Sequence, residues 1–110
     1  MKKVIVYNGV QAPNSSSFAT VYTPSNGQSF RLEEMIVICG TNVDLDLEIA
    51  LYHGTKQVIP EYGVISGKEG RIPIKCEWTW NSGEPIRLFV KNTHTTNTYK
   101  YSIILIGDLG

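Results

Sequence analysis

Gly70-Arg-Ile-Pro-Ile-Lys-Cys-Glu-Trp-Thr-Trp80, a break at Asn81-Ser82-Gly83, Glu84-Pro-Ile-Arg-Leu-Phe-Val-Lys91, and, past a polar tip, Tyr99-Lys-Tyr-Ser-Ile-Ile-Leu-Ile-Gly107: this stretch decides the fold. Side chains of a strand point alternately to its two faces. The first run puts Ile72, Ile74, Cys76, Trp78 and Trp80 on one face and Pro73, Lys75, Glu77 and Thr79 on the other. The second opposes Ile86, Leu88 and Val90 to Arg87, Phe89 and Lys91. The third groups Tyr99, Tyr101, Ile103 and Leu105 against Lys100 and Ser102, and then turns apolar on both sides at Ile104 and Ile106. A strand apolar on both faces is covered twice, either by its own chain or by another subunit.

Upstream, the same signals recur. Lys3 to Val10 reads as a strand, with Asn8-Gly9 either a tight turn or its loosening end. Gln11 to Ser17 reads as a loop, and its Asn14-Ser15-Ser16 matches a glycosylation acceptor. Phe18 to Thr23 is a short strand closed by Pro24-Ser25-Asn26-Gly27. From Ser29 to Cys39, Phe30 and Leu32 begin one face, Ile36 and Ile38 continue it, and Met35, Val37 and Cys39 fill the other. A bulge at Glu33-Glu34 shifts these faces by one residue. Gly40-Thr41-Asn42 then turns the chain. Leu45, Leu47, Ile49 and Leu51 alternate with Asp46, Glu48, Ala50 and Tyr52. After a turn at residues 53–56, Gln57 to Tyr62 is an edge strand demoted by Pro60, and Gly63 to Gly70 is a loop.

This gives about eight strands and no helix, the pattern of a sandwich or barrel. The expected fold is all-β, an antiparallel β-sandwich with jelly-roll topology, and an immunoglobulin-like sandwich is the runner-up. The immunoglobulin pattern is weakened because both tryptophans follow Cys76, with none between Cys39 and Cys76. The 110 residues make one domain, 1–110. Such a chain buries roughly two thirds of its unfolded surface and needs no metal or disulfide staple. Cys39 and Cys76 read as small buried apolar residues. A disulfide between them requires their Cα atoms at about 5.5–6 Å, which the sequence leaves open.

Ten basic and ten acidic residues cancel, so no net field draws the chain to nucleic acid or an anionic membrane. No apolar run approaches the roughly 18 residues of a membrane span. The apolar run after Met1-Lys2-Lys3 stops at Asn8-Gly9, too short for a secretory leader. The two histidines, His53 and His94, lie in a turn and a polar tip without a nucleophile motif. Glu33 and Glu34 point to opposite faces, so they are not a paired acid and base. Asp44, Asp46 and Glu48 share a face that reads as solvated rather than calcium-binding. The expectation is a protein that is not an enzyme, with no cofactor and no metal.

Two function classes remain. In an assembly protein, the interface candidates are Trp78, Trp80, Met35, Val37, Ile104 and Ile106. In a carbohydrate- or receptor-binding module, the ligand candidates are Tyr52, Tyr62, Trp78, Trp80 and Tyr99, and the partner is a glycan.

The segments Ser82 to Asn92 and Tyr99 to Gly107 resemble the closing hairpin of small jelly-roll proteins of virus and phage particles, such as decoration, auxiliary capsid, head-fibre and baseplate modules. The resemblance implies a structural protein, a homo-oligomer with a trimer favoured, docked on a larger assembly. With neither a leader nor a membrane span read from the sequence, the expected location is a virion or the cytoplasm.

Overall fold

The computed structural model describes all residues 1–110. The alternating pattern becomes seven strands and no helix: β1 Lys2–Gln11, β2 Ser15–Tyr22, β3 Phe30–His53, β4 Lys56–Ile59, β5 Ile65–Trp80, β6 Ile86–Asn92 and β7 Tyr99–Leu109. All pairings are antiparallel, and they are nested. β1 pairs with β7 and β2 with β6. The first arm of β3, residues 30–39, pairs with the end of β5, and the second arm pairs with β4 and the start of β5. With β3 counted as two arms, the chain is one long hairpin with its tip at Gly54-Thr55. Rolling that hairpin up brings β7 against the first arm of β3 and β6 against the second. The strands form one continuous seven-stranded sheet, which the bend of β3 and β5 folds into two layers, β1-β7-β3-β5 and β2-β6-β3-β4, the start of β5 continuing beside β4 in the second. This wrapped arrangement is a jelly roll.

β3 corrects the expected turn at Gly40-Thr41-Asn42. The chain does not reverse there but bends and carries on from one sheet into the other. Asn42 and Leu45 take positive φ angles, 71° and 67°, at this corner. β5 follows β3 round the bend, so residues 65–70, expected as loop, form strand. Ser15 to Ser17 likewise join β2. Both segments are mostly polar or glycine, and backbone pairing holds them without an apolar alternation to announce it.

The bulge at Glu33-Glu34 is present as a register shift between Leu32 and Glu34, against both β5 and β7. It puts Phe30, Leu32, Met35, Val37 and Cys39 on one core-facing side, all buried. Gly107 sits opposite this bulge, where a Cβ would lie 2.2 Å from the Arg31 carbonyl oxygen and 2.8 Å from the Phe30 ring. Trp80, Leu47, Ile49, Leu51, Ile86, Leu88, Ile103 and Leu105 complete the core between the sheets. Asn92, fully buried, is satisfied on every side: its amide donates to the carbonyls of Gln11 (3.1 Å) and Asn97 (2.8 Å) and accepts from the His94 N–H (2.9 Å). Cys39 and Cys76 are both free, one buried and the other half-buried. Burial raises both thiols, that of Cys76 to about 11.

Candidate assembly surface

The outer face of the β1-β7-β3-β5 sheet is built by register. Val6 opposes Ile104, Ile104 opposes Ile36, and Ile36 opposes Pro73, giving one apolar rung across four strands. The next rung runs Val4, Ile106, Glu34, Lys75. Cross-strand neighbours this close pack as one surface. Val4 is 55% and Val6 58% exposed, whereas Ile36 in the middle of the sheet is only 3% exposed. Ile104 and Ile106 are half-buried. Charges border this aliphatic ladder. The N-terminal amine meets Asp108 at 2.8 Å, Lys2 meets Glu33 at 2.5 Å, and Lys75 meets Glu34 at 3.5 Å. The hydrogen bond from Lys2 holds Glu33 below its usual pKa, and the amine does the same for Asp108.

The outer face of the β2-β6-β3-β4 sheet is aromatic instead. Phe18 opposes Phe89, Phe89 opposes Ala50, and Tyr52 opposes Arg87. The Phe18 and Tyr52 rings meet edge to face at 5.0 Å, and Phe18 and Phe89 lie 5.1 Å apart. The Arg87 guanidinium stands 4.3 Å from the centre of the Phe18 ring. Beneath them, Ala50 is fully covered although it faces outward.

Trp78 lies at the seam between the sheets. Its Nε1 donates to His53 Nδ1 at 3.0 Å, and His53 Nε2 reaches Glu84 Oε2 at 2.8 Å. An indole nitrogen only donates, so Nδ1 is the acceptor and Nε2 carries the proton toward Glu84. The hydrogen bond from His53 holds the Glu84 carboxyl below its usual range. Lys56 covers the Trp78 ring, its Nζ 5.0 Å from the centroid. Both His53 nitrogens are thus engaged in tying the tip of β3 to β5 and to the β5–β6 turn. At the other end, His94 Nδ1 accepts from the N–H groups of Thr96 (3.1 Å) and Asn97 (2.9 Å) and shapes the β6–β7 connection.

The structure separates the residues that the sequence grouped. Of the interface candidates, Met35, Val37 and Trp80 are fully buried in the chain's own core and present nothing to a partner. The bulge turned Met35 and Val37 inward, and the indole of Trp80 donates to the Tyr52 carbonyl at 3.3 Å. Trp78 is half-buried, and Ile104 and Ile106 do face outward. Of the ligand candidates, Tyr99 is 2% exposed, and its hydroxyl donates to Asp46 Oδ2 at 2.6 Å. That hydrogen bond raises the Tyr99 pKa. Burial pushes Asp46 up, but hydrogen bonds from Tyr99 and from backbone N–H groups outweigh it and leave its pKa lowered. Tyr52 belongs to the aromatic cluster, and Tyr62 stands 88% exposed in the β4–β5 connection. Val4 and Val6 were missed. Their signal was the run Val4-Ile5-Val6-Tyr7, apolar on both faces of its strand like Ile103 to Ile106.

Fold and surface define the class: a small antiparallel jelly roll with one aliphatic and one aromatic outer face. No protein-family model and no curated protein sequence matches the chain. Among solved structures, a chain of the cyanophage Pam1 capsid asymmetric unit is similar to it with a TM-score of 0.56 at 14% identity, over 96% of this chain and 83% of that one. The Yersinia pseudotuberculosis-derived mitogen gives a TM-score of 0.49 at 18% identity, over 96% and 86%. At 14% identity the likeness to the capsid chain is one of fold. The resemblance to phage particle proteins read from the closing hairpin therefore extends to the fold of nearly the whole chain. No helix is long and apolar enough to cross a membrane.

Proposed function

We propose that this chain is a non-enzymatic structural subunit that associates with itself and docks on a larger, virion-like assembly. One observation carries the reading: the rungs of Val4, Val6, Ile104, Ile106 and Ile36 form a continuous aliphatic surface, and its outermost valines are more than half exposed. Water-exposed aliphatic ladders on a sheet face are covered in the working state of a soluble protein. The shared fold with a phage capsid chain supports the same reading. The glycan reading draws less support, because Trp80 and Tyr99 lie in the core. Phe18 and Tyr52 meet edge to face and offer no flat platform to a sugar ring.

Light scattering after size exclusion at micromolar concentration tests the self-association. The expected result is a closed oligomer. Val6→Lys, which sets a charge at the open rim of the ladder, is expected to give a monomer with an unchanged far-ultraviolet circular dichroism spectrum. A wild-type chain that stays monomeric at every concentration removes the self-association.

A further inference from the structure

A jelly roll has open strand edges, and open edges invite another strand unless something blocks them. In this chain the blocks are unevenly distributed. β4 is only four residues long and runs into Pro60. β5 carries Pro73, which has no N–H, register shifts along its length, and exposed Arg71, Lys75 and Glu77. β2 begins with three serines and is broken by a register shift between Thr20 and Tyr22. β1 has none of these devices. It runs ten residues in unbroken register with β7, holds no proline, and confines its two charges to its first two residues, Lys2 and Lys3.

The hydrogen-bond phase of β1 shows what its edge offers. The Leu109 N–H donates to the Met1 carbonyl, so Met1 and Leu109 are a hydrogen-bonded pair. Such pairs alternate along an antiparallel ladder. Lys3, Ile5, Tyr7 and Gly9 therefore spend their N–H and C=O groups on β7. Those of Lys2, Val4, Val6, Asn8 and Val10 point to the open edge. These same residues have their side chains on the outer face, where Val4, Val6 and Val10 are 55%, 58% and 61% exposed.

We infer that β1 is the self-association edge: two copies join antiparallel through β1 about a two-fold axis at Val6. The inference rests on the self-association proposed above and specifies its geometry. The occupant is a second copy because the edge is complementary to itself. Val6 falls opposite the second copy's Val6, Val4 opposite its Asn8, and Lys2 opposite its Val10. Every outward-facing residue meets another outward-facing residue, and no like charges are opposed. A parallel pairing would set the lysines of both copies side by side. The antiparallel pair is isologous and closes on itself, in place of the trimer implied by the resemblance. The two β1-β7-β3-β5 sheets become one continuous sheet. The aliphatic ladder doubles in width and remains free to meet the larger assembly.

The test compares variants of the whole chain by light scattering. Val6→Pro deletes an N–H that points only to the open edge, and it is expected to reduce a dimer to a monomer. Ile106→Lys charges the ladder without touching the edge, and it is expected to leave the dimer intact. Cysteine scanning checks the register. Opposed residues of a hydrogen-bonded pair lie about 5.5 Å apart at Cα, within disulfide reach. Val6→Cys is expected to give a disulfide-linked dimer under mild oxidation, and Val4→Cys is not. This second arm decides the matter if Val6→Pro fails to fold. An oligomer that survives Val6→Pro and is lost with Ile106→Lys overturns the edge pairing and keeps the assembly reading. So does cross-linking at Val4 in place of Val6. A wild-type monomer at every concentration overturns both.

Discussion

The two outer faces of this sandwich are made by the same rule and come out differently. On the β2-β6-β3-β4 sheet, Phe18, Tyr52 and Phe89 pack on one another, Arg87 stacks on Phe18, and together they seal Ala50. Rings are large enough to cover much of one another on a surface, so Tyr52 and Phe89 are half-buried while Phe18 stays 45% exposed. On the β1-β7-β3-β5 sheet, valines and isoleucines stand in rungs. Branched aliphatic side chains reach their cross-strand neighbours but cannot fold over and cover themselves. Ile36 is sealed only because it sits in the middle, while Val4 and Val6 at the rim stay open. The rings cover most of one another but leave Phe18 45% exposed, whereas the short aliphatics leave Val4 and Val6 more than half exposed.

The largest expected effects lie beneath both faces. Trp80→Ala removes the largest fully buried side chain and is expected to destabilise the fold by about 3–5 kcal/mol, read as a shift of the denaturant midpoint. Trp78→Ala, at the half-buried seam, is expected to cost clearly less, and equal losses would break the distinction between core and seam. Gly107→Ala, under the aliphatic ladder, forces a Cβ against the Arg31 carbonyl and is expected to cost about 1–3 kcal/mol.

The comparison itself is sharpened by a crossed pair of surface changes. Phe18→Ala opens the aromatic cluster and is expected to cost about 1 kcal/mol with no change in solution mass. Val6→Ser on the other face is expected to change monomer stability by less than about 0.5 kcal/mol and to weaken self-association. The reverse outcome would mean that the aromatic face is the interface.

The smallest effect is expected from acid. Glu33 and Asp108, at the rim of the ladder, have lowered pKa values in the folded chain against usual values of 4.5 and 3.8. A lowered folded pKa contributes stability that is fully present above the unfolded value and is lost as pH falls through the folded one. Thermal stability is therefore expected to decline slightly below pH 4.5, and Glu33→Gln is expected to flatten that decline. An identical slope in the variant would show that the Lys2–Glu33 pair does nothing for the fold.

Much of this structure was legible in advance because two-residue alternation is a local property. The runs 72–80, 86–91 and 99–106 and the bulge at Glu33-Glu34 follow from which neighbouring side chains are apolar, and the edge character of residues 57–59 follows from Pro60. What escaped was long-range. Glycine, threonine and asparagine at residues 40–42 read the same at a reversal and at a corner, and only the pairing of β5 along both arms of β3 distinguishes them. The serines of β2 are held by β6, 70-odd residues later in the chain, and have no apolar pattern of their own. The interface candidates divide between the outer face and the core for one reason. Ile104 and Ile106 alternate regularly with core residues, whereas the face of Met35 and Val37 depends on the parity set by the bulge.

The amino-acid sequence by itself determined that this protein is all β, that its strands are amphipathic, and that some segments are apolar on both sides. Those are consequences of side-chain order along an extended backbone. Only the tertiary structure decided which apolar side is the outside, because that depends on neighbours distant in the chain. It also decided that β1 lies at a rim with the N–H and C=O groups of every second residue pointing to the open edge. Hydrogen-bond phase is set by the strand alongside, and no residue carries it alone.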